Sequence, residues 1–159
     1  MLKRGLVVAA LVALADQLSK AWVLSFFAEP GSGLHLHPVT GFFNLVLTWN
    51  RGVSFGLFNN DDAMNALVFT GAAAIIVAGL VLWLHRTREP LLGVAIGLVI
   101  GGAIGNVIDR ITRGAVVDFL DFHLAGWHFF AFNLADSAIT VGVFFMVIDS
   151  LFARREAPN

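Results

Sequence analysis

Cysteine is absent from the chain, which excludes disulfides, thiolate metal sites and a cysteine nucleophile. Charge is scarce. Only 13% of the 159 residues are Asp, Glu, Lys or Arg, and the formal net charge of −1 leaves neither an acidic tail nor a basic nucleic-acid patch. Internal repeats and low-complexity tracts are missing as well. No histidine lies inside a long apolar run, so those runs hold no ready base for a serine nucleophile. Chemistry therefore falls to aspartate, serine or histidine, and no cofactor is expected.

What the chain has in place of charge is apolar length. Hydrophobic residues make up 58% of it and the mean hydropathy is +0.82, values that describe a single integral-membrane domain. The first run, Gly5 to Ala28, follows Lys3 and Arg4 like a secretory leader. It has spanning length and contains Asp16 and Lys20, so an uncleaved helix is expected. Further spans are expected at 63–84, 91–108 and 132–152, with Asp61 and Asp62 placed to cap the second. In the third, Gly93, Gly97, Gly101 and Gly105 share one face and predict close packing against a neighbouring helix.

Two polar interludes, 29–62 and 109–131, separate these spans. In the first, Asn44, Val46, Thr48 and Asn50 alternate with Leu45, Leu47 and Trp49, which predicts short β-strands lying at the membrane interface. Its glycines at 41, 52 and 56 and its aromatics predict a movable wall over Phe42 to Phe58. The second contains Val116 to His123, strand-like, with a hairpin at Ala125-Gly126. Lys3 and Arg4, Arg86 and Arg88, and Arg154 and Arg155 fall at one set of helix ends, which predicts cytoplasmic termini and interludes on the outer side.

A charge at mid-bilayer costs about 2.5–3.5 kcal/mol on insertion scales, so each one should be paired, hydrated or functional. Asp16 and Lys20 stand at i, i+4; Asn106, Asp109 and Arg110 at i, i+3, i+4; Asn133, Asp136, Ser137 and Thr140 on one face at i, i+3, i+4, i+7. All approach the outer interludes. Period two puts Asp118 and Asp121 on opposite faces of their strand, and Asp118, among Val116, Val117 and Phe119, is the candidate for a confined carboxylate facing Asp136. Two carboxylates in a poorly solvated cleft share a proton, one acting as base and one as acid, which is aspartic peptidase chemistry.

Competing readings remain at this level. Asp16 and Lys20 form an ion pair that lowers insertion cost, Asp109 and Arg110 an interfacial salt bridge, and Asn50 a turn residue. The histidines at 35, 37, 85, 123 and 128 read as interface residues, with zinc at the 35/37 alternation the exception. Ser137 suggests a serine peptidase, with Lys20 as its only available base. Intramembrane Asp and Lys suggest a proton-coupled transporter, and the glycine ridge a scaffold.

Five motifs in order resemble the bacterial lipoprotein signal peptidases, signal peptidase II: Asp16-Gln-Leu-Ser-Lys20, Asn50-Arg-Gly-Val-Ser-Phe55-Gly56, Gly101-Gly-Ala-Ile-Gly-Asn106-Val-Ile-Asp109-Arg110, Val116-Val-Asp118-Phe119 and Phe132-Asn133-Leu-Ala-Asp136. The resemblance spans nearly the whole chain and departs at Val53, where alanine is common. It implies four transmembrane helices with a small extracytoplasmic β-cradle. It also implies an inner-membrane aspartic endopeptidase that cuts prolipoproteins just before the diacylglyceryl-modified cysteine. On that resemblance Asp118 and Asp136 are the catalytic pair. Asn50, Asn106, Arg110, Asn133 and Asp16 support the site or contact substrate, with Lys20 and Asp109 in the same motifs. The expected partners are lipid-modified precursors and membrane lipids, and a monomer is expected.

Overall fold

The structure is a computed structural model and describes residues 1–29, 35–52 and 62–153, without the side chains of 62–65 and 153. Asp61 and the side chain of Asp62, Val53, the Phe55 to Phe58 part of the expected wall, and Arg154 and Arg155 lie outside the described residues.

Four helices are long and apolar enough to cross a membrane. They are α1 (Leu2–Ala28), α2 (Asp62–Arg86), α3 (Pro90–Arg113) and α4 (Leu134–Ala153). At about 1.5 Å per residue, the 24 residues of α3 exceed the roughly 30 Å hydrocarbon core. The helix runs to Arg113, past the expected end at 108, because Gly114 (φ 76°) supplies the left-handed conformation that closes it and sends the chain straight into a strand. Leu11, Leu14, Leu18 and Trp22 on α1, and Leu67, Ile75 and Leu82 on α2, point outward, an apolar exterior suited to lipid rather than water.

α3 is the hub and packs against the other three helices. Its glycine ridge faces α1. A methyl group on Gly97 would strike the Gly5 backbone, one on Gly101 would stand 2.6 Å from the Ala9 carbonyl, and one on Gly105 would meet the Asp16 carboxylate. Gly102, one step round, presses instead on the Ala135 carbonyl of α4.

The strands β1 (Leu36–Thr40), β2 (Phe43–Asn50), β3 (Val116–Leu124) and β4 (Trp127–His128) form one antiparallel sheet in the order β1-β2-β3-β4. β3 and β4 meet at Ala125-Gly126, both with positive φ, as the hairpin expectation has it. The strict alternation expected for 44–50 does not hold. Leu45 pairs with Leu120, whereas Thr48 pairs with Asp118, so β2 carries one extra residue, a β-bulge. The bulge turns Asn44 and Asn50, which period two would place on one face, toward Asp121 and Asp118 on opposite faces of β3.

Two apolar clusters bracket a polar layer. Ala9, Leu84, Ile96 and Ile100 form one, and Val23, Leu45, Val117 and Phe119 the other. Along α1 the buried Asp16 and Lys20 fall between Ala9 and Val23, so the polar layer is sealed from both sides.

Candidate active site

The start of α4 is built by its own sequence. Asn133 precedes the helix, its Oδ1 accepts from the Asp136 N–H at 2.9 Å, and the Asn133 N–H donates to Asp136 Oδ2 at 3.3 Å. This is a reciprocal capping box that holds the Asp136 carboxylate over the first turn. Ser137 Oγ and Thr140 Oγ1 donate to the carbonyls of Asn133 and Asp136, at 3.0 and 2.8 Å. Both hydroxyls of the polar face are thereby turned back on the helix.

Three contacts bring Asp118 to this cap. The Phe132 N–H donates to the Leu120 carbonyl at 3.1 Å, and the Phe119 and Leu120 N–H groups donate to the Phe132 carbonyl at 3.0 and 2.8 Å, pinning the residue before Asn133 to β3. At the other end of β3, the Val117 N–H donates to Asp109 Oδ2 at 3.0 Å, anchoring the strand to the end of α3. Asn133 Nδ2 then donates to Asp118 Oδ1 at 2.7 Å, so one asparagine bonds to both candidate carboxylates. Asn50 Nδ2 donates to Asp118 Oδ2 at 2.9 Å.

Asp118 is 2% exposed. Burial, with the Asp136 charge adding to it, outweighs the hydrogen bonds from Asn50 and Asn133 and pushes its carboxyl up to about 6. Asp121 is also buried but has other surroundings. Its partners are Asn44 Nδ2 at 2.8 Å and His128 Nδ1 at 2.9 Å, on the other face. Burial would raise its carboxyl, but those two hydrogen bonds and the nearby histidines hold it below the usual range. The strand parity argument thus separates the two aspartates correctly, although the Asn44 and His128 partners are not among the residues it singled out.

Beneath the pair lies a fully buried ionic group. Lys20 Nζ is 2.8 Å from Asp16 Oδ2, 2.9 Å from Asp109 Oδ2 and 3.1 Å from Asn106 Oδ1. Asp16 is therefore more than half of an intrahelical pair: its Oδ1 accepts the Ala135 N–H at 2.9 Å, an anion set at the α4 N-terminus. The salt bridge expected between Asp109 and Arg110 is replaced. Asp109 pairs with Lys20 and with Arg113 one turn on, and takes Gln17 Nε2 at 3.1 Å. An i, i+4 partner lies along the same helical row, whereas adjacent residues diverge by about 100°. Gln17 and Arg113 are the supporting residues that spacing did not single out, although Gln17 lies inside the first motif and Arg113 stands at i+4 from Asp109.

Arg110 points elsewhere. Its guanidinium stacks 5.3 Å from the Phe69 ring, and its buried Nε has no hydrogen-bond partner among the described residues. With Asp118, Asn50, Thr48 and Phe130 it lines a cavity of about 630 Å³. A second cavity, of about 430 Å³, is lined by Asp136, Ser137, Thr140, Phe130 and Phe132. Each carboxylate thus opens onto a different groove, and Phe130 borders both. A guanidinium lining the same groove as a carboxylate suits a carbonyl-bearing peptide. Among the described residues, no three His, Asp or Glu side chains are arranged to hold a metal ion.

The family model described as signal peptidase (SPase) II matches residues 8–152. The lipoprotein signal peptidase of Burkholderia multivorans is 47% identical over 143 residues, covering 89% of this chain and 83% of its own. That of Burkholderia vietnamiensis is 48% identical with the same coverage. A bacterial membrane enzyme solved by the in meso method at 2.3 Å resolution superposes with a TM-score of 0.78 at 28% identity, over 99% of this chain and 93% of the other. A second such structure, at 1.9 Å, gives 0.77 at 28% identity over 94% and 93%.

Proposed function

The chain belongs to the signal peptidase II family, membrane peptidases that cleave signal peptides from prolipoproteins, and from that premise we propose that Asp118 and Asp136 are the pair that performs the cleavage. The observation that carries the assignment is Asn133, which donates to both carboxylates, its side-chain amide to Asp118 and its backbone N–H to Asp136. The cut falls just before a diacylglyceryl-modified cysteine. The acyl chains stay in lipid while the peptide enters the grooves between β2, β3 and α4, which sets the scissile bond at the interface.

The two carboxyls share one proton and titrate as a unit. The ionised member takes a proton from water as its oxygen attacks the scissile carbonyl carbon, and the protonated member gives its proton to the carbonyl oxygen. When the resulting diol collapses, the carbon–nitrogen bond breaks. The amine nitrogen takes a proton from the first carboxyl, and the second recovers one from the diol hydroxyl. The pair ends with its single shared proton. Arg110 and Asn50 line the groove that holds Asp118 and contact the substrate carbonyls.

The protein works in the bacterial inner membrane as a monomer, with termini and the α2–α3 turn cytoplasmic and the site on the periplasmic face. The positions of Lys3, Arg4, Arg86 and Arg88 support this orientation. Cleavage of a lipid-modified precursor by the purified protein in detergent tests the reading. Asp118→Asn and Asp136→Asn each abolish turnover with the fold intact, and chelators have no effect. Turnover retained in either variant removes the mechanism.

A further inference from the structure

The asparagines around the dyad do not choose their own orientation. An ammonium group only donates, so the Asn106 atom facing Lys20 Nζ at 3.1 Å is its oxygen. A flipped amide would set its NH₂ against that charge. The same oxygen also accepts Asn133 Nδ2 at 3.2 Å, which leaves Asn106 Nδ2 to donate to Asp136 Oδ1 at 2.8 Å. Asn133 is fixed in the same way: the Asp136 N–H claims its oxygen, so its NH₂ faces Asp118. Each of the two side-chain amides therefore presents an N–H to a carboxylate, Asn106 to Asp136 and Asn133 to Asp118. The path through Asn106 begins on a charge, at Lys20, which is wholly buried and fixed by Asp16 and Asp109.

We propose that Lys20 is a positioning residue for catalysis, acting through the Asn106 amide to orient it and to polarise the hydrogen bond it gives Asp136. Lys20 touches neither the grooves nor the dyad. The intervening amide carries its influence to Asp136, because a carbonyl held by an ammonium makes its own N–H₂ a stronger donor, while the Lys20 charge also favours ionised Asp118 directly through space. The Asp16–Lys20 pair is thus more than a device for lowering insertion cost. The charged groups facing this path are Asp16 from α1, Asp109, Arg110 and Arg113 from α3, Asp118 from β3 and Asp136 from α4. The inference rests on the dyad reading.

The chain contains only two lysines, Lys3 and Lys20, so ¹⁵Nζ-lysine labelling gives a resolvable signal for Lys20 in bilayers. Its shift is expected to step at the pH of the acid limb of kcat/KM, and the step is expected to shrink in Asp136→Asn to the through-space part due to Asp118. The activity arm uses Lys20→Gln combined with Asp16→Asn, which keeps the buried layer neutral. In that variant kcat is expected to fall roughly tenfold with KM nearly unchanged, as when a partner that orients a reacting group is lost. Its acid limb is expected to rise, because the ionised form of the pair loses a charge-backed donor. A folded double variant with wild-type kcat and acid limb overturns the proposal. So does a flat Nζ shift across that limb in the wild type, or a step of undiminished size in Asp136→Asn. If the double variant fails to fold, the Nζ titration decides alone. Failure of the dyad itself would look different, since Asp136→Asn would then remain active.

Discussion

Replacing Asn50 with alanine tests the electrostatics of the site most directly. Asn50 Nδ2 gives Asp118 Oδ2 a 2.9 Å hydrogen bond that favours the charged carboxylate, and opposes the burial that lifts Asp118 to about 6. A hydrogen bond to a charged group contributes about 1.5–3 kcal/mol. Asn50 itself borders an open groove, so water takes up part of the loss, and about 1.4 kcal/mol, or about one pH unit, is the expected net effect. The acid limb of kcat/KM should therefore move upward by about one unit, since losing a partner of the ionised form makes ionisation harder. Near the wild-type limb, turnover should drop by several-fold, whereas well above it the variant should approach wild type more closely. The Gly52 N–H that Asn50 Oδ1 accepts lies on an exposed turn, so its release to water costs little. Cleavage rates of a lipid-modified precursor from pH 4.5 to 8.5 measure the limb. A limb that stays in place or moves down would refute the assignment of Asp118 as a member of the titrating pair. Stability has its own sign. A carboxyl raised from its ordinary 3.8 to about 6 binds more protons folded than unfolded, so its contribution is greatest in acid and is lost as pH rises through about 6.

Further outcomes follow from the packing. Asp121→Asn should cleave at close to the wild-type rate, because Asp121 serves Asn44 and His128 on the face away from the dyad. Asp121→Ala should lower the thermal midpoint in detergent, the donors left unpaired costing about 1–3 kcal/mol of stability. Gly102→Ala drives a methyl into the Ala135 carbonyl, next to Asp136, and should cost about 1–3 kcal/mol as well as most activity. Gly71→Ala, with open space at its Cβ, should change neither, and equal behaviour of the two glycine variants would show that the α3–α4 contact is not tight.

Much of this architecture was legible from residue order. Apolar runs of spanning length required helices, because no other open structure satisfies the backbone in lipid. The glycine ridge of α3 declared a packing face, and the separation of Asp118 from Asp121 followed from strand parity. Other features were out of reach. The bulge in β2 changes which asparagine meets which aspartate, and a single extra residue in a ladder leaves no mark on an alternating pattern. The choice of Arg113 over Arg110 as the Asp109 partner, by contrast, follows from i, i+4 spacing, although the adjacent arginine was the one expected.

Periodicity and composition by themselves determined the class, the spans and the list of polar residues that a membrane would not tolerate without partners. That follows because burial in lipid is a local requirement, read residue by residue along each helix. Only the tertiary structure decided how those residues combine. Asp16 caps α4 and Lys20 reaches Asn106, 86 positions along the chain. One asparagine holds both carboxylates because Phe132 is pinned to Leu120. Hydrogen bonds act over about 3 Å, and which distant groups come that close is a property of the packed helices and the sheet rather than of any segment alone.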